Sequence, residues 1–290
     1  MTLLISVFEQ GFIYAIMALG MYITYKILDF PDLTVDGSFP LGAAITAILL
    51  VNEVNAIITL PISFLAGAIV GILTGFIHVK LKVRDLLSGI IMMTALYSVN
   101  LAIAGKANLP FYTAQTIFDN DILDGFFPEA MKPYQTMIVI IVIAICIKLL
   151  LDCYMGTKSG FLLRAVGDNE TIVTSLGKDK GSVKILGLSI ANGLVALSGC
   201  LFAQQQRFFD ISIGTGTAVI GLASVIIGTS LLHKISFLRI TTNVVIGAIL
   251  YKACVALAVR IGLPSNWLKF VTAALFLCIL TMGMNKKKER

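Results

Sequence analysis

The sequence predicts an all-α protein, a polytopic transmembrane domain of about nine spans, and three observations lead to this prediction. Of its 290 residues 58% are hydrophobic and 13% are charged, whereas a soluble domain carries about 25% charged residues. The apolar residues are grouped into runs near the roughly 20 residues that a helix needs to cross a bilayer. The basic residues gather in short loops between these runs, as the positive-inside rule describes. We therefore expect one membrane domain over residues 1–290.

Composition also argues against several classes of function. The net charge of +6 reflects the topology bias of the loops, so we expect no nucleic-acid partner. His78 and His233 are far apart and the five cysteines form no close pair, so we predict no metal site and read the cysteines as small buried apolar residues. Gly177-Lys178 is followed by Asp179 and lacks the glycine spacing of a nucleotide-binding loop. We expect no catalytic residues and no cofactor bound by this chain.

The first span is predicted from about Leu4 to Leu28 and is read as a retained span rather than a cleaved signal. Residues 29–40 follow, with two prolines, three carboxylates and a glycine, so they cannot form a continuous helix. We expect Asp36 or Ser38 to cap a short second helix that runs from Pro40 to about Asn52. This broken second segment either lines a pathway inside the protein or is an ordinary interfacial loop.

The third span, about Thr59 to Val79, and the fourth, about Leu86 to Ala104, enclose a basic loop that we expect in the cytoplasm. In the third span, small residues four apart predict close helix packing: Gly67, Gly71 and Gly75. In the fourth span, Asn100 is either an interhelical hydrogen-bond partner or a solute contact. The acidic stretch over residues 105–133 is predicted as an external loop, and the fifth span, about Tyr134 to Tyr154, returns to the cytoplasm.

Residues 156–184 are the longest charged interruption of the apolar sequence and contain a very short helix specified at both ends. Asp168 or Asn169 is the candidate N-cap, and Glu170 in the first turn complements the helix dipole. The helix is expected to end at Leu176-Gly177, because glycine favours the turn that stops a helix. A capped, charged and amphipathic segment indicates a docking surface, and a solvated loop is the alternative.

Four further spans complete the prediction: about Val183–Ala203, Gly214–Leu232, Ile240–Val259 and Trp267–Met284. The second of these is rich in small residues and is expected to pack tightly or to be partly re-entrant. Lys252 in the third either extends its charge to the membrane surface or pairs with a carboxylate. Every basic cluster then falls on one side, which predicts an N-terminus outside and a cytoplasmic C-terminus.

Two stretches resemble a known family. The run Leu163–Asn169 (LRAVGDN), followed by Leu176-Gly177 and Lys184-Ile185-Leu186, resembles the cytoplasmic signature of permease subunits of bacterial ABC importers. The group includes branched-chain amino-acid and ribose permeases. Residues 32–43 and the run from Leu86 to Asn100 are similar to a subgroup linked to amino acids, tryptophan and tyrosine among them. Where ribose-type members have a Gly-Gly-Ile-Asp-Leu-Ser run, this chain has Phe-Pro-Asp-Leu-Thr after Asp29, which argues against a sugar substrate.

The resemblance implies that the short helix is a coupling helix, which inserts into a groove of a separate ATPase. It implies a permease homodimer in the bacterial cytoplasmic membrane, an ATPase dimer that binds ATP and magnesium, an external substrate-binding lipoprotein and a small-molecule substrate. The expected coupling residues are Leu163, Arg164, Gly167, Asp168, Asn169, Glu170, Leu176 and Gly177, with Arg164 holding the loop through a carboxylate or carbonyl. The expected pathway residues are Asp32, Asp36, Ser38 and Asn100.

Two other classes of protein remain open at this point. An ion-coupled secondary transporter would need intramembrane carboxylates for its coupling ion, and Glu9, Asp32 and Asp36 are the candidates. It would also predict inverted repeats, and none is evident in the sequence. A structural membrane scaffold would leave the capped cytoplasmic helix unexplained.

Overall fold

The computed structural model describes residues 2–120, 125, 128–231, 239–260, 267, 270, 272–274 and 277, and this part of the chain is almost entirely helical. The α-helices are α1 (Thr2–Met21), α2 (Val35–Val51), α3 (Ala56–Val79), α4 (Asp85–Ala104), α5 (Gln135–Met155), α6 (Lys158–Asp168), α7 (Glu170–Ser175), α8 (Lys180–Gln206), α9 (Thr217–Leu231) and α10 (Ile240–Arg260). A π-helical turn, Tyr22–Ile27, extends α1, and short 3-10 turns cover Glu129–Tyr134 and Ile211–Gly214.

Seven helices in the described part of the chain are long and apolar enough to cross a membrane. The prediction was about nine. The helix α2 is apolar but has only 17 residues, and the ninth predicted span, about Trp267–Met284, lies mostly outside the described residues. The structure therefore supports an all-helical integral membrane protein, with seven helices in its described part that are suited to crossing a bilayer.

The centre of the molecule is α8, which is buried over most of its length and packs against α1, α2 and α3. A Cβ atom on Gly67 of α3 would lie 2.4 Å from the carbonyl oxygen of Asn192, and one on Gly71 would lie 2.2 Å from that of Leu188. Only glycine allows backbones to approach this closely. The close packing predicted for the third span is thus confirmed, and α8 is its partner.

The second helix begins earlier than expected. The chain is non-helical from Leu28 to Leu33, and α2 begins at Val35 rather than at Pro40. Thr34 stands at the N-cap position without a capping side-chain bond, so the prediction that Asp36 or Ser38 caps this helix is wrong. Pro40 is tolerated inside α2 because its missing N–H removes only one intrahelical bond near the helix start.

A two-stranded antiparallel sheet joins the predicted external loop to the end of α8. Strand β1 (Asn108–Pro110) pairs with β2 (Phe208–Asp210), with Leu109 opposite Phe209. Arg207, whose backbone is left-handed at φ 59°, ends α8 and forms an ion pair with Asp119. The predicted loop over residues 105–133 is therefore attached, in its described part, to the most buried helix.

The cysteines do not share one environment. Cys200 is buried as predicted, but the expectation of burial is wrong for Cys146, Cys153 and Cys254, which are exposed in the isolated chain. These three lie on faces of α5 and α10 that no described helix covers. Their apolar character suits contact with lipid or another chain rather than core packing.

Candidate functional site: a docking helix and an interior cavity

The short helix α7 is capped at its start by Asn169, which decides between the two residues that the sequence offered. The backbone of Asn169 is extended (φ −160°, ψ 107°), and its side-chain oxygen accepts a hydrogen bond of 2.9 Å from the N–H of Thr171. Its own N–H donates to the carbonyl of Ala165 and so closes α6. Asp168 is the last residue of α6. One residue therefore ends one helix and begins the next.

The end of α7 is a glycine stop of the kind that the sequence predicts. Gly177 has φ 68°, and its N–H donates to the carbonyl of Thr174 at 3.0 Å. The N–H of Lys178 reaches back to the carbonyl of Val173 at 3.2 Å. These two bonds form a Schellman motif, which satisfies the last helical carbonyls. Leu176 is the C-cap, so both predicted boundary residues lie where expected.

Ion pairs tie α7 to the first turns of α8. Glu170 accepts bonds of 2.6 Å from Lys180 and from Lys184. Hydrogen bonds from these two lysines lower the pKa of Glu170 to about 2. Asp179 caps α8 by accepting from the N–H groups of Gly181 and Ser182. Bonds between residues close in sequence therefore fix the end of α7 against the start of α8.

The inner side of α6 and α7 packs on the membrane helices. Leu163 and Val173 are fully buried. Gly167 lies directly against the end of the π-helical turn, because a Cβ there would stand 1.6 Å from the carbonyl oxygen of Ile27. Gly187 of α8 faces the side chains of Leu163 and Leu28. A displacement of α6 would therefore reach α8 and the end of the π-helical turn that extends α1 through direct contacts, and α7 is joined to α6 at Asn169.

The outer side of α7 presents apolar side chains that nothing in the described chain covers. Ile172 is 49% exposed and Leu176 is 63% exposed, and residues four apart lie on one helix face. We call this pair the docking face. The expectation that Arg164 holds the loop is wrong: within the described residues its guanidinium forms no hydrogen bond and lies 6.0 Å from the Phe161 ring centroid. Arg164 and Phe161 lie three residues apart on the exposed side of α6.

Two of the predicted pathway residues belong to a buried hydrogen-bond chain centred on Asn192 of α8. The amide nitrogen of Asn192 donates to Asp32 at 2.8 Å, and its amide oxygen accepts from the Ser38 hydroxyl at 2.7 Å. The other oxygen of Asp32 accepts from the Thr34 N–H at 2.8 Å. All three side chains are nearly or fully buried. Asp32 and Ser38 therefore join the non-helical segment and α2 to α8, and they do not line the cavity described next.

The carboxylate of Asp36 does cap a helix, but the helix is α9 rather than α2. It accepts hydrogen bonds from the N–H of Gly216, the hydroxyl of Thr217 and the N–H of Ala218, at 2.7 to 3.1 Å. The negative charge also complements the positive end of the α9 dipole. Thr217, the first residue of α9, is buried, so the N-terminus of α9 lies inside the molecule, beside the first turn of α2.

A cavity of about 350 Å³ lies where α2 and α9 begin, facing α4. Asp36 and Asn100 line it, together with Met93, Thr94 and Tyr97 of α4. The amide nitrogen of Asn100 donates to the carbonyl of Gly37 at 3.0 Å, so its role as an interhelical partner is confirmed. Its amide oxygen is buried and has no hydrogen-bond partner. Of the four predicted pathway residues, the structure brings Asp36 and Asn100 to one cavity.

Three contributors to these sites escaped the site prediction. Asn192 is a polar residue in the middle of the apolar run that becomes α8, and a polar residue at such a position is a signal of function or packing. Tyr97 lies three residues before Asn100 and shares its helix face. Thr217 carried no usable signal, because only the tertiary structure places the start of α9 against Asp36.

Comparisons with known proteins agree with this architecture. Residues 3–280 match the family described as branched-chain amino acid transport system, permease component. A tyrosine transport system permease protein of Clostridioides difficile (strain R20291) is 42% identical over 97% of this chain and 91% of its own length. An uncharacterized protein of Rickettsia prowazekii (strain Madrid E) is 33% identical over 93% and 94%.

More distant similarity extends to sugar permeases, and no solved structure matches the chain. The ribose import permease protein RbsC of Escherichia coli (strain K12) is 26% identical over 78% of this chain and 68% of that protein. The family match covers nearly every described residue, and the seven apolar helices suit an inner-membrane protein. The chain therefore belongs to the permease family of branched-chain amino acid transport systems, as the integral membrane component of an ABC transporter and not as an enzyme.

Proposed function

We propose that the chain forms the translocation pathway of an ATP-driven importer for a small solute, namely an amino acid, with an aromatic amino acid as the favoured substrate. The observation that carries the proposal is α7, capped at both ends and exposing Ile172 and Leu176. An isolated helix of six residues would not persist in water. Its caps and ion pairs therefore preserve a shape for a partner to bind.

The partner in this proposal is a pair of cytoplasmic ATPase subunits that bind ATP and magnesium. Closure of the ATPases moves α7, and the contacts of Leu163 and Gly167 transmit the displacement to α8 and to the end of α1. The coupling residues are those named from the resemblance, from Leu163 to Gly177. Asp168, Asn169 and Glu170 keep the shape of the segment, and Leu176 contacts the ATPase.

The remaining architecture follows the same proposal. Two copies of the chain form a homodimer with nine spans each, with the N-terminus outside and the C-terminus in the cytoplasm. The broken segment before α2 lies inside the protein and adjoins the pathway, and an external binding lipoprotein delivers the substrate. The tyrosine named for the Clostridioides difficile relative supports an aromatic substrate.

The alternative of an ion-coupled transporter finds less support, because its three candidate carboxylates already have partners. Glu9 accepts a hydrogen bond of 3.0 Å from Gln205. Asp32 is bonded at both oxygens, and Asp36 caps α9. A coupling ion would have to displace these bonds.

The test is co-purification of the chain with the ATPases of its host, followed by measurement of ATP hydrolysis. We expect an ATPase to co-purify and Ile172→Asp with Leu176→Asp to weaken its association at least tenfold, about the effect of losing one interface anchor. Tyr112→Asp, at a residue as exposed as Leu176 but in the loop beyond β1, is the matched control and should leave association unchanged. Uptake driven by an ion gradient without any associated ATPase would overturn the proposal.

A further inference from the structure

The cavity between α2, α4 and α9 has a chemical character that the proposed pathway does not by itself explain. It lies within the membrane-spanning part: Gly37 packs on Leu96, the twelfth of 20 residues in α4. The short helix α2 begins at its wall after the non-helical segment, and α9 begins there after the 3-10 turn Ile211–Gly214. Discontinuous helices that begin inside the membrane are how many transporters build a substrate site. A volume of about 350 Å³ is within the ~300–1,000 Å³ of ordinary small-molecule sites.

The polar atoms of the cavity wall are biased towards acceptors. The amide oxygen of Asn100 is buried without a partner, while its nitrogen is occupied by the Gly37 carbonyl. The Gly37 carbonyl can only accept a hydrogen bond, so it must face the amide nitrogen of Asn100, and the amide oxygen must point the other way. The hydroxyl of Thr94, which also lines the cavity, donates to the carbonyl of Ile90, so its oxygen is left as an acceptor. A buried acceptor without a donor is destabilising, so its retention calls for a function.

The charge of the wall has the same bias. Asp36 supplies a carboxylate, of which one oxygen accepts two bonds from α9 and the other only one, at 3.1 Å. Among the described residues that line the cavity there is no lysine, arginine or histidine. Met93, Tyr97 and Ile211 supply the apolar area. The wall is thus complementary to a cationic hydrogen-bond donor attached to an apolar body.

We propose that this cavity binds the primary ammonium group of an amino-acid substrate, with the Asn100 amide oxygen and the Asp36 carboxylate as acceptors and with the apolar body of the solute against Met93 and Tyr97. The inference rests on the proposed function and adds to it which group of the substrate the chain recognises. The carboxylate of the amino acid faces away from this wall, which has no basic side chain to meet it. Asn100 is closed to water in this conformation, so the site opens fully in another state of the transport cycle.

The experiment measures uptake of labelled tyrosine by host cells whose copy of the gene is deleted and then restored with wild type or a variant. Two competitors test the two charged groups of tyrosine separately. Tyramine keeps the ammonium and lacks the carboxylate, whereas 3-(4-hydroxyphenyl)propionate keeps the carboxylate and lacks the ammonium. We expect tyramine to compete at least tenfold better, since hydrogen bonds to a charged group are among the stronger ones. Because the competitors also meet the external binding lipoprotein, the inference is decided by how this preference changes between wild type and Asn100→Leu, and an unchanged preference would overturn it.

The variants locate the effect at Asn100. Asn100→Leu removes the acceptor at similar volume and should raise the tyrosine concentration for half-maximal uptake about tenfold and abolish the preference for tyramine. Asn100→Asp retains an acceptor oxygen and should keep the preference. Asn243→Leu is the matched control, because Asn243 of α10 is also buried with an unpartnered amide oxygen but does not line the cavity. Immunoblots of membranes verify equal amounts of each variant.

The outcomes distinguish this inference from the proposed function. Energy-dependent uptake that is indifferent to Asn100→Leu and to the ammonium group overturns the inference and leaves the importer proposal intact. Absence of gene-dependent uptake for tyrosine and for every other proteinogenic amino acid overturns the inference together with the amino-acid substrate. In that case the association with an ATPase is still decided by co-purification.

Discussion

The segment over residues 156–184 and the interior contact of α2, α3 and α8 are held together in opposite ways. The segment relies on bonds between residues close in sequence: the Asn169 cap, the Gly177 stop and the pairing of Glu170 with Lys180 and Lys184. The interior contact relies on partners far apart in sequence, such as Ser38 and Asn192. Residues 169–184 of the segment can keep their shape while they move as a unit, whereas the interior contact is rigid because backbones touch. A transporter needs both, a part that receives a displacement and a part that transmits it.

The largest effect is expected from adding a side chain where α2 meets α8. A Cβ on Gly42 would lie 1.8 Å from the carbonyl oxygen of Ala196, so Gly42→Val must separate the two backbones. We expect a loss of about 3 kcal/mol or more, at the upper end of overpacking effects, measured as thermal stability in detergent. Gly125→Val is the control, since a Cβ there meets nothing within 4 Å. Equal stability of the two variants would contradict the rigid contact.

A smaller but still large effect is expected from Asn192→Leu. The change leaves the Asp32 carboxylate and the Ser38 hydroxyl buried with fewer partners, and we expect a loss of about 2 to 4 kcal/mol. The measurement is again thermal stability in detergent. In a double-mutant cycle, Asp32→Leu should lower the stability of the Asn192→Leu variant much less than it lowers that of wild type, because the two residues share one interaction. Strict additivity would show that the chain of bonds is not a unit.

In the segment over residues 156–184, Asn169→Pro should affect coupling more than stability. Proline requires φ near −65°, and Asn169 has φ −160° with its N–H bonded to Ala165, so α6 and α7 lose their junction. We expect ATP turnover stimulated by substrate to fall about tenfold or more while the thermal stability of the membrane helices changes by less than about 1 kcal/mol. Asn169→Asp keeps a capping oxygen and should behave like wild type. Normal uptake by Asn169→Pro would remove the coupling role from α7.

The smallest effect is expected from Glu170→Gln, because this glutamate is 41% exposed and exposed ion pairs contribute about 0.5 kcal/mol or less. Its depressed pKa, about 2, fixes the direction of the pH dependence. The pairing with the two lysines stabilises the segment above the ordinary glutamate pKa, and this stabilisation is lost as the pH falls from about 4.5 towards 2. The protection of the α7 amides from hydrogen exchange, taken relative to the intrinsic exchange rate at each pH, should therefore fall in that range in wild type and change less in Glu170→Gln. An identical pH response in both proteins would show that Lys180 and Lys184 do not hold α7.

Local sequence signals predicted the segment over residues 156–184 well and the interior poorly. The caps of α7 depend on residues within ten positions of one another, so its bounds were predicted up to the choice between Asp168 and Asn169, whereas the helix α6 in the same segment was not predicted. Asp36 shows the opposite case. Its carboxylate was assigned to the cap of the second helix, but the helix it caps begins 181 residues later at Thr217, and no local pattern identifies such a partner. Arg164 was assigned a bond because charged residues in loops often make one, and the structure leaves it exposed beside Phe161.

The sequence by itself determined that this is a helical membrane protein, where most of its spans lie, and that a short capped helix interrupts them, because hydrophobic runs, caps and glycine stops act over a few residues. It also carried enough of the signature around Arg164 to indicate a permease. Only the tertiary structure decided that α8 is the central helix, that Asp32 and Ser38 meet at Asn192, and that Asp36 and Asn100 share a cavity. These features depend on which helices pack together, and packing is settled by close approach of backbones and by buried polar atoms whose partners lie far along the chain.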